Sequence, residues 1–402
     1  STIYQDYTNT LQETQYVRYI NRWNLVKKDY HSQLSEPITP IIYWIENTVP
    51  EEFRAAIKEG IESWNIAFEN IGFKNAIIAK QMPDNAEWDP ADIRYNTIRW
   101  FIQPGAGYAV GPSRANPYTG ELYDADIRIS ADFVTGFYRE FEEYVSPIIN
   151  EDITYLWSDL DIKHNHKECN YENHLRDEMS SGWYQLINSG AINGTEEDLK
   201  EYVYQGLVDL VLHEVGHTLG LRHNFKASSI YSIAQLSDKN FTEKYGISGS
   251  VMDYHPVSLL DKGHTFFQTK PGPYDLWAIE YGYKEFSDDN DKINLDNIAN
   301  KSNHPLLIYG TDEDTFGRSS KGIDPLSNVW DISNDPIKYY IIELESVKNL
   351  WDNLLEKFEI HGGRYQKIRS VFSQGIGEYI NAGISSTKFV GGIYFNRNHI
   401  GD

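Results

Sequence analysis

Residues 213 to 223 read His-Glu-Val-Gly-His-Thr-Leu-Gly-Leu-Arg-His. On a helix, His213 and His217 leave the same face about one turn apart, so both imidazoles can grip a single metal ion. Gly220 lets the helix stop in a left-handed turn, and the returning chain can bring His223 in as a third ligand. Three neutral imidazoles form a zinc-type donor set that keeps an open position for water and lowers the pKa of that water toward neutrality. Glu214, beside the first histidine, is placed to act as general base and then as general acid toward a leaving amine. Five fixed positions at this spacing favour a metal site over histidines with ordinary packing or surface roles.

The elements that must position these residues are also readable. Thr195 followed by Asp198 is a capping-box-like start for the metal helix. Leu199, Val203, Leu207, Val211, Val215 and Leu219 then form a stripe expected to face the core, with His213 and His217 pointing nearly the other way into a cleft. A second helix is expected over 51–70, where Phe53, Ile57, Ile61, Trp64 and Phe68 recur at helical steps before Gly72. Strands are expected at 41–45, 76–79, 97–102 and 127–129. Helical patches such as 133–144 occur in an insertion at about 131–194. A short helix follows Gly272-Pro273 over 274–281, and a long one over 338–358 has Ile341, Leu344, Val347, Leu350 and Leu354 along one side.

About thirty residues after His223 stand Ser250, Val251, Met252, Asp253 and Tyr254. The long zinc motif together with this segment resembles the metzincin metalloproteases, which pair that motif with a methionine turn. The resemblance implies that Met252 forms a hydrophobic floor beneath zinc. It also implies that Tyr254 ligates the metal and swings away to stabilise the oxyanion of the transition state. Closer still is a resemblance to the large bacterial zinc-dependent metalloproteases grouped as the Met-zincin family. It rests on Arg22-Trp23 with Lys27-Lys28-Asp29, on Trp88-Asp89-Pro90 with Asp92-Ile93-Arg94-Tyr95, on the run from His213 through Ser228, on Gly272 through Ile279, and on Val390-Gly391-Gly392. Asn224 after the third histidine differs from the serine, aspartate, glutamate or proline of the matrixins, adamalysins, astacins and serralysins.

What the resemblance implies is an α+β metzincin-like fold. A mixed twisted sheet with an active-site helix and a backing helix would form the N-terminal subdomain over 40–223, after a lead-in segment over 1–39. A mostly helical or irregular C-terminal subdomain with the methionine turn would occupy 224–402, with further chain expected beyond it and a removed propeptide before the lead-in. The implied activity is a zinc-dependent metalloendopeptidase, exported to the periplasm, the cell surface or the medium. Its protein or peptide substrate would pair with a sheet edge placed near 107–111. The helix over 274–281 would lie behind the substrate pocket. Two other readings stay open: a zinc amidase acting on cell-wall or modified glycopeptides, and a non-catalytic peptide-binding protein with a vestigial site.

Composition narrows the classes. A chain of 402 residues, 40% hydrophobic and 14% aromatic, is long and apolar enough to bury a large core. With 36 basic against 59 acidic residues, its net charge of −23 disfavours nucleic acid and anionic membrane surfaces as partners. No apolar run approaches the ~20 residues of a membrane span. The single cysteine, Cys169, excludes an internal disulfide framework. It lies near His164, His166 and His174, but their irregular spacing in a polar stretch fits a surface loop better than a second metal site. Asp288, Asp289, Asp291, Asp296, Asp312 and Asp314 offer oxygen ligands for Ca2+ without the glycine-punctuated spacing of a calcium loop. Oligomeric state is not legible.

Overall fold

A computed structural model of the chain describes residues 2–5, 8, 16–102, 113–131, 133–134, 171–287, 290–316 and 322–398. The segment expected near 107–111, most of 133–144, Asp288, Asp289, His164, His166 and Cys169 lie outside the described residues, as does the His174 side chain.

The described strands are β1 (Thr2–Gln5), β2 (Tyr16–Tyr19), β3 (Ile41–Ile45), β4 (Ile77–Gln81), β5 (Asn96–Phe101), β6 (Ser113–Ala115), β7 (Leu122–Ala125) and β8 (Ile127–Ser130). The main sheet has the order β4-β3-β5-β8, and its three pairings are all parallel. Antiparallel pairing occurs in two small ladders, β1 with β2 and β6 with β7. In β3 the alternation is clear: Ile41, Tyr43 and Ile45 are buried, while Ile42 and Trp44 are half-buried. Trp44 is packed from outside by Trp88 and Tyr95, whose own rings stack at 4.0 Å.

The described helices are α1 (Arg54–Glu62), α2 (Asn65–Asn70), α3 (Tyr171–Ser189), α4 (Glu196–Thr218), the short α5 (Ile233–Leu236) and α6 (Lys239–Tyr245), α7 (Pro273–Tyr283), α8 (Asp291–Ala299), α9 (Asp312–Thr315), α10 (Pro336–Asp352), α11 (Leu354–Phe358) and α12 (Tyr365–Thr387). Among them none is long and apolar enough to cross a membrane. The single helix expected over 51–70 is interrupted at Ser63 and Trp64, where the turn tightens and the Trp64 indole donates to the Leu212 carbonyl of α4. The helix expected over 338–358 is divided at Asn353, and the expected face is buried only in part: Val347, Leu350 and Leu354 are buried and Leu344 is half-buried, but the first turns differ. Ile341 is 52% exposed, whereas Tyr339, Tyr340 and Glu343 are buried. An inward glutamate defeats an apolar-only reading of the period. Burial first, and then the nearby Glu378, push the Glu343 carboxyl well above its usual range, which favours a neutral acid in the core.

Helix α4 is the centre of the molecule. Thr195 and Asp198 close a capping box, and three acids in the first turn complement the helix dipole. The expected split between a core stripe and an open cleft face is not what forms: every residue from Gly206 to Gly216 is buried. Helix termini leave carbonyls without partners, and here aromatic side chains from distant segments supply them. Trp23 donates its indole proton to the Thr218 carbonyl at 3.0 Å, and Tyr283 its hydroxyl to the Leu219 carbonyl at 2.9 Å. The Tyr43 hydroxyl donates to Thr218 Oγ1 at 2.6 Å. The expected lead-in therefore contributes directly to the end of the metal helix.

Candidate metal centre

The turn after α4 is set by Gly220, whose φ of +95° is open to glycine and strained for other residues. The same residue lies under the incoming chain, since a Cβ there would come within 2.4 Å of the Asn21 carbonyl oxygen. This sharp return carries His223 back to the helix. Nitrogens of His213, His217 and His223 then all lie within 4.8 Å of one another, and no other such ligand group occurs among the described residues.

Each ring is oriented from behind. His213 Nδ1 donates to the Val251 carbonyl at 2.7 Å, His217 Nδ1 to the Leu221 carbonyl at 3.2 Å, and His223 Nδ1 to the Asp312 carboxylate at 2.9 Å. An oxygen acceptor at Nδ1 fixes the proton there and leaves the Nε2 lone pair for a metal. Burial first, and then the neighbouring histidines, hold His213 and His217 below the usual imidazole range, with His217 at about 3. Both are therefore neutral at physiological pH.

This donor set fits zinc. The Nε2 atoms of His217 and His223 face each other at 3.1 Å with both protons held on Nδ1, an arrangement of two lone pairs that a shared cation relieves. Tetrahedral bonds of about 2.0–2.1 Å would place such nitrogens roughly 3.4 Å apart. The Tyr254 hydroxyl meets the same His223 Nε2 at 3.2 Å. Glu214, next to His213, is fully buried.

The segment bearing Met252 and Tyr254 is held by buried acids. Asp275 in the first turn of α7 accepts from Ser250 Oγ at 2.6 Å and from the Val251 and Gly272 amides at 2.9 and 2.8 Å. Asp253 accepts from the amides of Ser228 and Tyr254, both at 2.8 Å. Met252 is wholly buried against α4 at Gly216, where a Cβ would stand 2.3 Å from its sulfur and 2.9 Å from the Trp64 ring. Asn224 joins these parts: its amide donates to the Met252 carbonyl at 2.9 Å, and its side chain bonds both Gly310 N and Ile308 O. That ladder delivers Asp312 to His223.

With the methionine segment placed beneath the histidine helix, comparison with known families becomes informative. The sequence pattern described as Met-zincin matches residues 195–402. The chain belongs to the Met-zincin family. No curated protein and no solved structure matches it. Family and histidine triad together make this Met-zincin a zinc metalloprotease in the general sense, with the α+β fold of that clan.

Sequence reasoning brought together His213, His217, His223, Met252 and Tyr254, and the structure gathers the same residues in one place. It missed Asp312, Asp275 and Gly216 as parts of the Met-zincin centre. Asp312 and Asp314, read from sequence as oxygen ligands, make other contacts: Asp312 with His223 and Arg222, Asp314 with the Thr311 amide and Arg397. Gly216 sits inside the motif itself and Asp275 inside one of the family stretches, so both carried a signal. Asp312 carried none.

Proposed function

We propose that this Met-zincin is an endopeptidase in which His213, His217 and His223 hold zinc, Glu214 moves the proton, and Tyr254 assists the oxyanion. The observation that carries the reading is the convergence of three imidazoles whose Nδ1 protons are all fixed on oxygen acceptors. Bound there, zinc would supply Lewis acidity toward the peptide carbonyl and the attacking water. Glu214 accepts one proton from that water as its oxygen bonds to the carbonyl carbon. The same carboxyl returns the proton to the amide nitrogen as the C–N bond breaks, leaving an amine and a carboxylic acid whose remaining proton passes to the amine or to solvent. The Tyr254 hydroxyl, 3.2 Å from His223 Nε2 and so beside the place that the histidines would give to zinc, donates to the oxygen on which charge develops. The family resemblance also supports export from a bacterial cell, and fractionation of the native host would test it.

The deciding experiment digests a diverse peptide mixture with the zinc-loaded protein and with Glu214→Ala, reading new termini by mass spectrometry. Internal cuts lost by at least about a hundredfold in the variant are expected. Cuts that survive in Glu214→Ala would overturn the mechanism, and cleavage confined to glycopeptide amides would move the substrate class to an amidase.

A further inference from the structure

Tyr171 opens α3, in the part of the chain that sequence alone reads as an insertion without an assigned task. Its ring packs on the His213 imidazole, with centroids 4.4 Å apart and planes 29° from parallel. It also packs on the Tyr254 ring, at 4.8 Å and 22°. Trp330 lines up behind both, 5.9 Å from Tyr171 and 5.6 Å from Tyr254, and its amide donates to the Tyr254 carbonyl at 2.9 Å. The Tyr171 hydroxyl donates to Asp209 Oδ2. Asp209 is wholly buried on α4, four residues and so about one turn ahead of His213.

A phenol can serve one point in a reaction only when its ring is held in one plane, because misplacement by an ångström loses much of the benefit. Tyr254 reaches its point opposite His223 from a nest of rings: Tyr171, Trp330, Phe225 and His213. Within that nest Tyr171 alone stacks on both a histidine of the triad and the phenol while being tied by its own hydroxyl to the metal helix.

We infer that Tyr171 is a positioning residue for the reaction: anchored on Asp209, it braces the His213 imidazole and holds the Tyr254 phenol toward His223 Nε2. This role rests on the zinc-hydrolase reading above. It gives the segment before α4 a part in the chemistry. It also makes Tyr254 a clamped donor, in contrast to the swinging side chain that the metzincin resemblance implies.

The test compares Tyr171→Leu, Tyr171→Phe, Tyr254→Phe and the double variant Tyr171→Leu/Tyr254→Phe. Tyr171→Leu should lower kcat about tenfold with little change in KM, and cost clearly less once Tyr254 is already phenylalanine, the remainder being its brace on His213. Tyr171→Phe keeps the stacked ring but gives up the hydroxyl tie to Asp209, and should fall between the parent and Tyr171→Leu, at about a threefold loss of kcat. A readout independent of turnover is the visible spectrum of the cobalt-substituted protein, which Tyr171→Leu should shift in the same sense as Tyr254→Phe. Additive losses in the double variant, or an unchanged cobalt spectrum with undiminished kcat, would overturn the role. Should Tyr171→Leu not fold, Asp209→Leu leaves the ring in place, removes its anchor, and enters the same cycle with the same two outcomes. Glu214→Ala separates the two levels. Activity surviving in that variant overturns the zinc-hydrolase reading, whereas Glu214-dependent activity that ignores Tyr171 overturns this inference alone.

Discussion

His213 and His217 are held differently from His223. The first pair sits on a helix buried from Gly206 to Gly216, and each ring is aimed by a backbone carbonyl, of Val251 and of Leu221. The third histidine stands beyond the helix, and its ring is aimed by the side chain of Asp312, a residue 89 positions away. The pair is thus fixed by the fold of its own element and of the methionine segment, whereas the third depends on docking of the stretch around 308–312. A carbonyl anchor cannot be deleted by mutation; a carboxylate anchor can.

Breaking the weaker side should have the largest effect. His223→Ala removes a donor outright and should weaken zinc by more than the roughly 100-fold that marks the upper range for loss of an outer partner. Asp312→Ala should weaken it about 10–100-fold, and Asp312→Asn, which still offers an oxygen to Nδ1, by less. Competition with a chromophoric chelator measures all three. Equal zinc affinity in Asp312→Ala and the parent would show that the third ring is oriented by something else.

The stronger side is probed through packing. Gly216→Ala places a methyl group against the Met252 sulfur and the Trp64 ring, and such overpacking costs roughly 1–3 kcal/mol. Chemical denaturation of the metal-free protein should show that loss, and a stability equal to the parent would mean that Met252 shifts aside freely.

The same helix predicts a pH dependence. Burial raises Asp209 to about 8, against which the Tyr171 hydrogen bond works only partly. The folded state therefore keeps a proton that the unfolded state has released, so this residue's contribution to stability declines as pH rises from near 4 to about 8. The slope is at most about 1.4 kcal/mol per pH unit. Asp209→Asn should flatten the fall in stability between pH 6.5 and 8, and an unchanged slope would place the titration elsewhere.

Local pattern carried much of this architecture. The Thr195–Asp198 box, the histidine spacing and Gly220 are neighbours in sequence, so the start, the face and the stop of α4 can be read directly. Strands β3, β4, β5 and β8 were legible for the same reason. Residues that act across long separations were not. Asp312 is one of 59 acidic residues, and nothing nearby marks it until the Asn224 ladder brings 308–310 alongside the third histidine. Tyr171 is one of 29 tyrosines, and only tertiary packing sets it apart. The first turns of α10 were misread at Ile341, which is exposed, because Glu343, a residue that hydrophobic periodicity assigns to solvent, points inward, whereas Val347 and Leu350 lie where the period puts them.

Trp23 and Asn21 belong to the stretch that sequence alone reads as a lead-in, yet one satisfies the Thr218 carbonyl at the end of the metal helix and the other lies across the Gly220 turn. Proteolytic trimming that reaches this stretch would loosen the helix end that bears His217 and the return that bears His223. The N-terminal boundary of a metal-competent chain is accordingly fixed from within, ahead of Asn21.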